Sequence, residues 1–209
     1  MTNKNFNNKK INNNGFNFVD LGLPSGTKWA TMNVGASKPS DSGLYFQWGD
    51  TIGCRAEQVG KGKGKKAFIW ADYKWNASKG FTKYNTAGES LKLADDAANA
   101  NMGGDWHMPT PKQIAELLNN TSNKWTTLDG VRGRLFTSKK DGTKSIFIPA
   151  AGYASNGSLN LVGSEADVWS SSLNAIGVSI GRYLGFNSGG IYLGSGYRYY
   201  GFSVRGVIG

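Results

Sequence analysis

Cysteine occurs once, at Cys54, which excludes an internal disulfide, a cysteine-based zinc site and two-thiol chemistry. The lone thiol reads as a small buried apolar group. Histidine also occurs once, at His107, so nucleophilic catalysis has a single candidate base. No apolar run reaches the length of a membrane span, and the opening MTNKNFNNKKINNNG carries no hydrophobic signal region; membrane insertion and export by the general route are not expected. The sharpest lack lies at the C-terminal end. From Ser170 to Gly209 there is no Lys, Glu, Gln, Met or Trp, whereas residues 1–169 hold 36 of them (18 Lys, 4 Glu, 3 Gln, 4 Met, 7 Trp), a density that would put about eight in the last forty positions. Strand and turn preferences deplete Lys and Glu, but they explain the loss of Trp and Gln less well. Every residue type that does occur there can be written by a codon ending in a pyrimidine, and those five types cannot.

What is present fits one domain: 209 residues and 22.5 kDa, with 30 glycines and 12% aromatics, favouring short strands and many turns. Residues 1–15 read as a flexible polar tail and 16–209 as a single ligand-binding domain, with a variable region over about 170–205. The net charge of +10 comes largely from lysines, clustered at Lys9-Lys10 and over Lys61–Lys66. Such runs are usually solvated loops, and no nucleic-acid partner is expected.

Along the chain, Phe16–Leu21 alternates like a strand, Thr27–Val34 is a second strand, and Leu44–Asp50 is a short apolar segment. Residues 51–88 form a long irregular insertion carrying Phe68, Trp70, Tyr73, Trp75, Phe81 and Tyr84. Interleaved with lysine, those rings can stack on single-stranded nucleic acid; their irregular spacing favours pinning the loop to the body instead. Two helices are predicted, Leu91–Asn101 and Pro111–Asn120. The second has Thr110 as cap, Pro111 in the first position, and Ile114, Leu117 and Leu118 on one face. Strands follow at Trp125–Leu128, Val131–Thr137 and Ser145–Pro149.

Several stretches carry a resemblance: Val19-Asp20-Leu21-Gly22-Leu23-Pro24-Ser25-Gly26-Thr27-Lys28-Trp29-Ala30, Asn33-Val34-Gly35-Ala36, Tyr45-Phe46-Gln47-Trp48-Gly49-Asp50, Asp95-Asp96-Ala97-Ala98 with Gly103-Gly104-Asp105-Trp106-His107-Met108-Pro109-Thr110, Phe147-Ile148-Pro149-Ala150-Ala151-Gly152-Tyr153, Trp169-Ser170-Ser171 and Gly201-Phe202-Ser203-Val204-Arg205. In this order they resemble the Fibrobacter-type major paralogous domain, from Phe16 to the end. The resemblance implies an α+β protein of the C-type lectin fold, formylglycine-generating-enzyme-like, with two helices packed on twisted antiparallel sheets. Some members are variable proteins of diversity-generating retroelements, in which Asn codons become any codon ending in a pyrimidine. The paired cysteines of formylglycine-generating enzymes and the calcium-binding triplets of sugar-binding lectins are missing, so neither activity is implied, and no cofactor or metal is expected.

Chemistry is weakly signalled. His107 precedes a helix cap, Asp95-Asp96 sit mid-helix on different faces, and Glu165 with Asp167 would share a face if extended, but two carboxylates alone say little. No enzyme activity is expected. Binding fits better, because Tyr, Ser and Gly together suit recognition surfaces. Alternation puts Leu184, Phe186, Ile191, Leu193, Phe202 and Val204 in the core, and Tyr183, Gly185, Tyr192 and Gly194 outward. The candidate ligand-binding residues are Leu173, Ile176, Val178, Ile180, Arg182, Gly185, Tyr192, Gly194, Ser195, Tyr197, Tyr199 and Tyr200. Ile176, Val178 and Ile180 are equally well read as a short buried strand, whereas three tyrosines in four residues cannot all be buried. The expected function is a hypervariable receptor-binding protein on a phage tail or cell surface, its partner a surface protein or glycan of a target cell, with oligomerisation open. The alternative is a non-diversified structural or adhesive domain of a Bacteroidetes-type surface protein.

Overall fold

Thr110 accepts a hydrogen bond from the Gln113 amide and the Gln113 side chain reaches back to the Thr110 amide, closing a capping box ahead of Pro111. The helix α2 that follows, Pro111–Asn120, is the one the sequence predicts, with Ile114 and Leu117 fully buried. The computed structural model describes residues 11–209, with side chains from Asn14 onward. Residues 1–10 of the expected tail lie outside the described residues.

The other expected helix, Leu91–Asn101, forms only over its second half. Asp95 turns aside to Lys83 and Tyr84, in a 3-10 turn Leu93–Asp95. Asp96 caps a six-residue helix α1, Ala97–Met102, by accepting from the Asn99 amide. The two acids are a tether and a cap, not a pair within one helix. Gly103 ends α1 at φ 68°, where a side chain would be strained.

The expectation of an α+β C-type lectin fold is overturned by what surrounds these helices. Among the described residues the chain is mostly β, with fourteen strands in five small sheets and only the two short α-helices. Strands β1 Ile11–Asn13, β2 Phe16–Val19, β3 Lys28–Ala30 and β14 Val207–Ile208 form one sheet. Part of the presumed tail is therefore a hairpin strand, and the end of the chain closes beside Trp29. After the small hairpin β4 Asn76–Ala77 and β5 Gly80–Phe81, strands β6 Thr121–Leu128, β7 Val131–Ser138 and β8 Ser145–Pro149 make a meander. Strands β9 Tyr153–Ser155 and β10 Ser158–Asn160 make a second hairpin. Strands β11 Glu165–Asn174, β12 Gly177–Asn187 and β13 Ile191–Tyr197 make the third antiparallel sheet. Leu44–Asp50 forms no strand but joins by single bridges, Tyr45 to Cys54 and Phe46 to Phe202.

Two main cores hold the sheets. One gathers α2 with Trp29, Phe136, Ile148, Leu184 and Phe186. The other is rich in tryptophan, with Trp48, Trp75, Trp106 and Trp169. Burial of such large rings contributes several kcal/mol each at ~25 cal/mol per Å². The excursion over 51–88 is irregular, as expected. Its Phe68, Tyr73, Trp75 and Tyr84 are buried, so these rings pin it to the body and are not available to stack on bases. Cys54 is buried, as expected.

Candidate ligand-binding surface

The β11–β12–β13 register sorts the C-terminal segment. Val168, Leu184 and Leu193 stand opposite one another on one face, and Asp167, Gly185 and Tyr192 on the other. The first face packs into the α2 core, as the alternation of Leu184, Phe186, Ile191 and Leu193 predicts. Phe202 and Val204 are buried in the tryptophan-rich core, also as expected.

The second face is not free, which corrects the expectation for Tyr183, Gly185 and Gly194. Tyr183 packs 4.9 Å from the Phe202 ring and 6.1 Å from Tyr192 (ring centroids). A Cβ on Gly185 would lie 2.3 Å from the Tyr192 ring, and one on Gly194 2.3 Å from the Tyr183 ring. These glycines are seats for rings rather than ligand contacts. Leu173 is likewise buried, under the core side of the sheet.

Exposure gathers at the end of the hairpin. Ile176 is 91% exposed in the β11–β12 turn, while Val178, Ile180 and Arg182 are partly buried along β12, so the three apolar side chains do not make one buried strand. Ser195 is exposed on β13, accepting from Asn174 Nδ2 at 2.7 Å and from Arg182 Nη1 at 3.4 Å. Tyr197, 45% exposed and paired with Ile180, stacks on Tyr199 at 5.5 Å and 10°. Tyr199 and Tyr200 are half-buried and lean on the core. Tyr192, 37% exposed, lies away from this group and donates to Glu165 Oε1 at 2.5 Å.

Sequence reasoning missed two contributors. Trp70, from the excursion, lies 4.6 Å from the Tyr199 ring and 5.9 Å from Tyr197, and Phe81 lies 5.4 Å from Trp70. The other is Arg198. It is fully buried, donating Nε to Tyr73 Oη at 2.7 Å and its terminal nitrogens to the Tyr84, Val178 and Lys83 carbonyls at 3.2, 3.0 and 3.0 Å. Its guanidinium lies 4.2 Å from the Phe81 centroid. An arginine between tyrosines, in a segment without acids, was the available signal: aromatic faces and carbonyls are its remaining partners.

Elsewhere the chemistry is structural. His107 exchanges backbone bonds with Val207, and its Nδ1 lies 3.0 Å from the Met108 carbonyl. Burial works against the Asp95 carboxylate, but hydrogen bonds from Lys83 and Tyr84 outweigh it and hold its pKa below the ordinary value. Among the described residues no three His, Cys, Asp or Glu side chains gather as a metal site, and no helix is long and apolar enough to cross a membrane. No protein-family model, curated protein or solved structure matches the chain.

Proposed function

We propose that the chain is a ligand-binding protein that recognises its partner without transforming it. Its working surface is the exposed hairpin end: Ile176, Val178, Ile180, Arg182, Ser195 and Tyr197. The observation that carries this reading is the stacked Tyr197–Tyr199 pair continued by Trp70, an aromatic ledge at the solvent boundary. Rigid amphipathic rings give contact area at little entropic cost, beside small and aliphatic positions that can change without disturbing a core. The partner is a surface protein or glycan of another cell, and the carrier a phage tail or a cell surface.

The missing Lys, Glu, Gln, Met and Trp from Ser170 onward, with the resemblance to the Fibrobacter-type major paralogous domain, support diversification of this surface by a retroelement. Sequencing the locus tests it. The expected finding is a reverse-transcriptase gene and a near-copy of the segment encoding residues 170–205 that differs only at adenines; their absence would leave an unvarying adhesive domain. Binding itself is read on a glycan array and a panel of intact cells. At least one signal is expected for the wild type and its loss in Tyr197→Ala, and retention of every signal by that variant would refute the assigned surface.

A further inference from the structure

Glu165 and Asp167 point from one face of β11, opposite Asn187 and Gly185. The chain carries a net charge of +10, yet its described ion pairs engage only Asp50 and Asp95, and neither of these two acids has a cationic partner. Asp167 is 3% exposed, and its Oδ1 has no hydrogen-bond partner. A buried carboxyl oxygen left unpaired loses its hydration with no partner in exchange, so this corner can accept a donor. The seat on Gly185 brings the Tyr183 and Tyr192 rings against this spot, and Tyr192 bridges to Glu165 at its solvent side.

We infer that the Glu165–Asp167 corner is a subsite for an organic cation, a guanidinium or primary ammonium group carried by the ligand, with the Tyr183 and Tyr192 rings as its walls. A neutral donor could satisfy Oδ1 but would leave Asp167 protonated, whereas a cation pairs with the ionised carboxylate and gains from the ring faces. The inference deepens the binding reading and rests on it.

The groups facing Asp167 are Glu165 on its own strand, Tyr183 on β12, Tyr192 on β13 and Tyr153 on β9, with no Lys, Arg or His among them. Burial first, then the Glu165 charge, push the Asp167 carboxyl up to about 8. Asp167 thus holds a proton at neutral pH. Binding a cation expels that proton to the buffer, so affinity rises with pH, by up to about tenfold per unit below the Asp167 pKa.

The test is calorimetric titration of the full chain with Nα-acetyl-arginine methylamide, using the citrulline analogue as neutral isostere. Nα-acetyl-lysine methylamide and glucosamine are further arms that separate a peptide source of the cation from an amino-sugar source. Expected are at least about tenfold tighter binding of the arginine probe than of citrulline, close to one proton released at pH 7 when phosphate and Tris buffers are compared, and loss of that release in Asp167→Asn. Glu165→Gln serves as a second variant should Asp167→Asn misfold, and it should weaken the probe similarly. Equal affinity for citrulline, no binding by any cation, or unchanged binding in both variants would overturn the subsite. Cell or glycan signals that still depend on Tyr197 would then leave the broader reading standing; probe binding without any such signal would do the reverse.

Discussion

Arg198 ties the aromatic ledge to the body. Its side chain satisfies three backbone carbonyls and the Tyr73 hydroxyl, and it lies against the Trp48, Tyr73 and Phe81 rings. Lysine cannot reproduce a planar fork with five donors, so Arg198→Lys strands buried carbonyls. We expect a loss of about 2–4 kcal/mol in urea unfolding; a loss under about 1 kcal/mol would mean that the excursion is held without it. Asp167 has the opposite sign. Its folded pKa is raised, so between about pH 4 and its pKa of about 8 the folded state binds the proton and the unfolded state does not. Stability from this group is full at acid pH and declines as pH rises toward 8. Asp167→Asn should therefore gain on the wild type at pH 8 by at least about 1 kcal/mol, the gain closing toward pH 4. A gap that does not change with pH would contradict the burial argument.

At the scale of the element, the β11–β13 sheet is largely covered on both faces, and apart from Tyr192 and the β12–β13 turn its exposed side chains gather at the β11–β12 hairpin end. Gly181 shows why most of the segment cannot change. A Cβ there would lie 2.8 Å from the Trp48 ring and 3.0 Å from the Trp169 ring, both fully buried. Gly181→Ala should cost about 1–3 kcal/mol through overpacking, while Ile176→Ser, 91% exposed, should stay within about 0.5 kcal/mol in the same unfolding assay. Equal costs would mean that the turn is not free. The alternation of Leu184 and Phe186 was legible because a core-facing strand writes period two into its sequence. The cover over Tyr183, Gly185 and Gly194 was not, because it depends on how rings lie across paired strands: Tyr192 over Gly185, Tyr183 over Gly194, and Phe202 against Tyr183. The helix α2 was legible from Thr110, Pro111 and its apolar face, all local signals. The late start of the helix expected over Leu91–Asn101 was not, because Lys83 and Tyr84 hold Asp95 in a 3-10 turn and α1 begins only at Ala97. Local pattern carries elements, and long-range ties decide which faces and ends remain exposed. The architecture was misjudged for the same reason: motifs in order along the chain say little about how five small sheets assemble.

Across the whole molecule, the last strand completes the first sheet. Val207 pairs with Trp29 and exchanges backbone bonds with His107, and Gly209 accepts from Gln113 Nε2 at 3.3 Å. Arg205 is fully buried, with bonds of 2.9 Å each to Asn33 Oδ1 and to the Ala30 and Phe147 carbonyls. The β12–β13 hairpin is thus clamped between Trp169 on one side and Arg205 on the other, both in the body. Deleting residues 207–209 should lower the melting temperature of a chain this size by at least about 5 °C, because it opens a sheet edge and a core; an unchanged melting temperature would show that the clamp is dispensable. With the scaffold so fixed, the exposed hairpin end is proposed to be free to change, and changing it to alter what is bound. Randomising Ile176, Val178, Ile180, Arg182, Ser195 and Tyr197 together, in a displayed library selected against arbitrary surface proteins and glycans, measures this directly. Most members are expected to keep the parental melting temperature within a few degrees, and selection to recover new binders. A library that is largely unfolded, or one that folds but yields no binder, would contradict it.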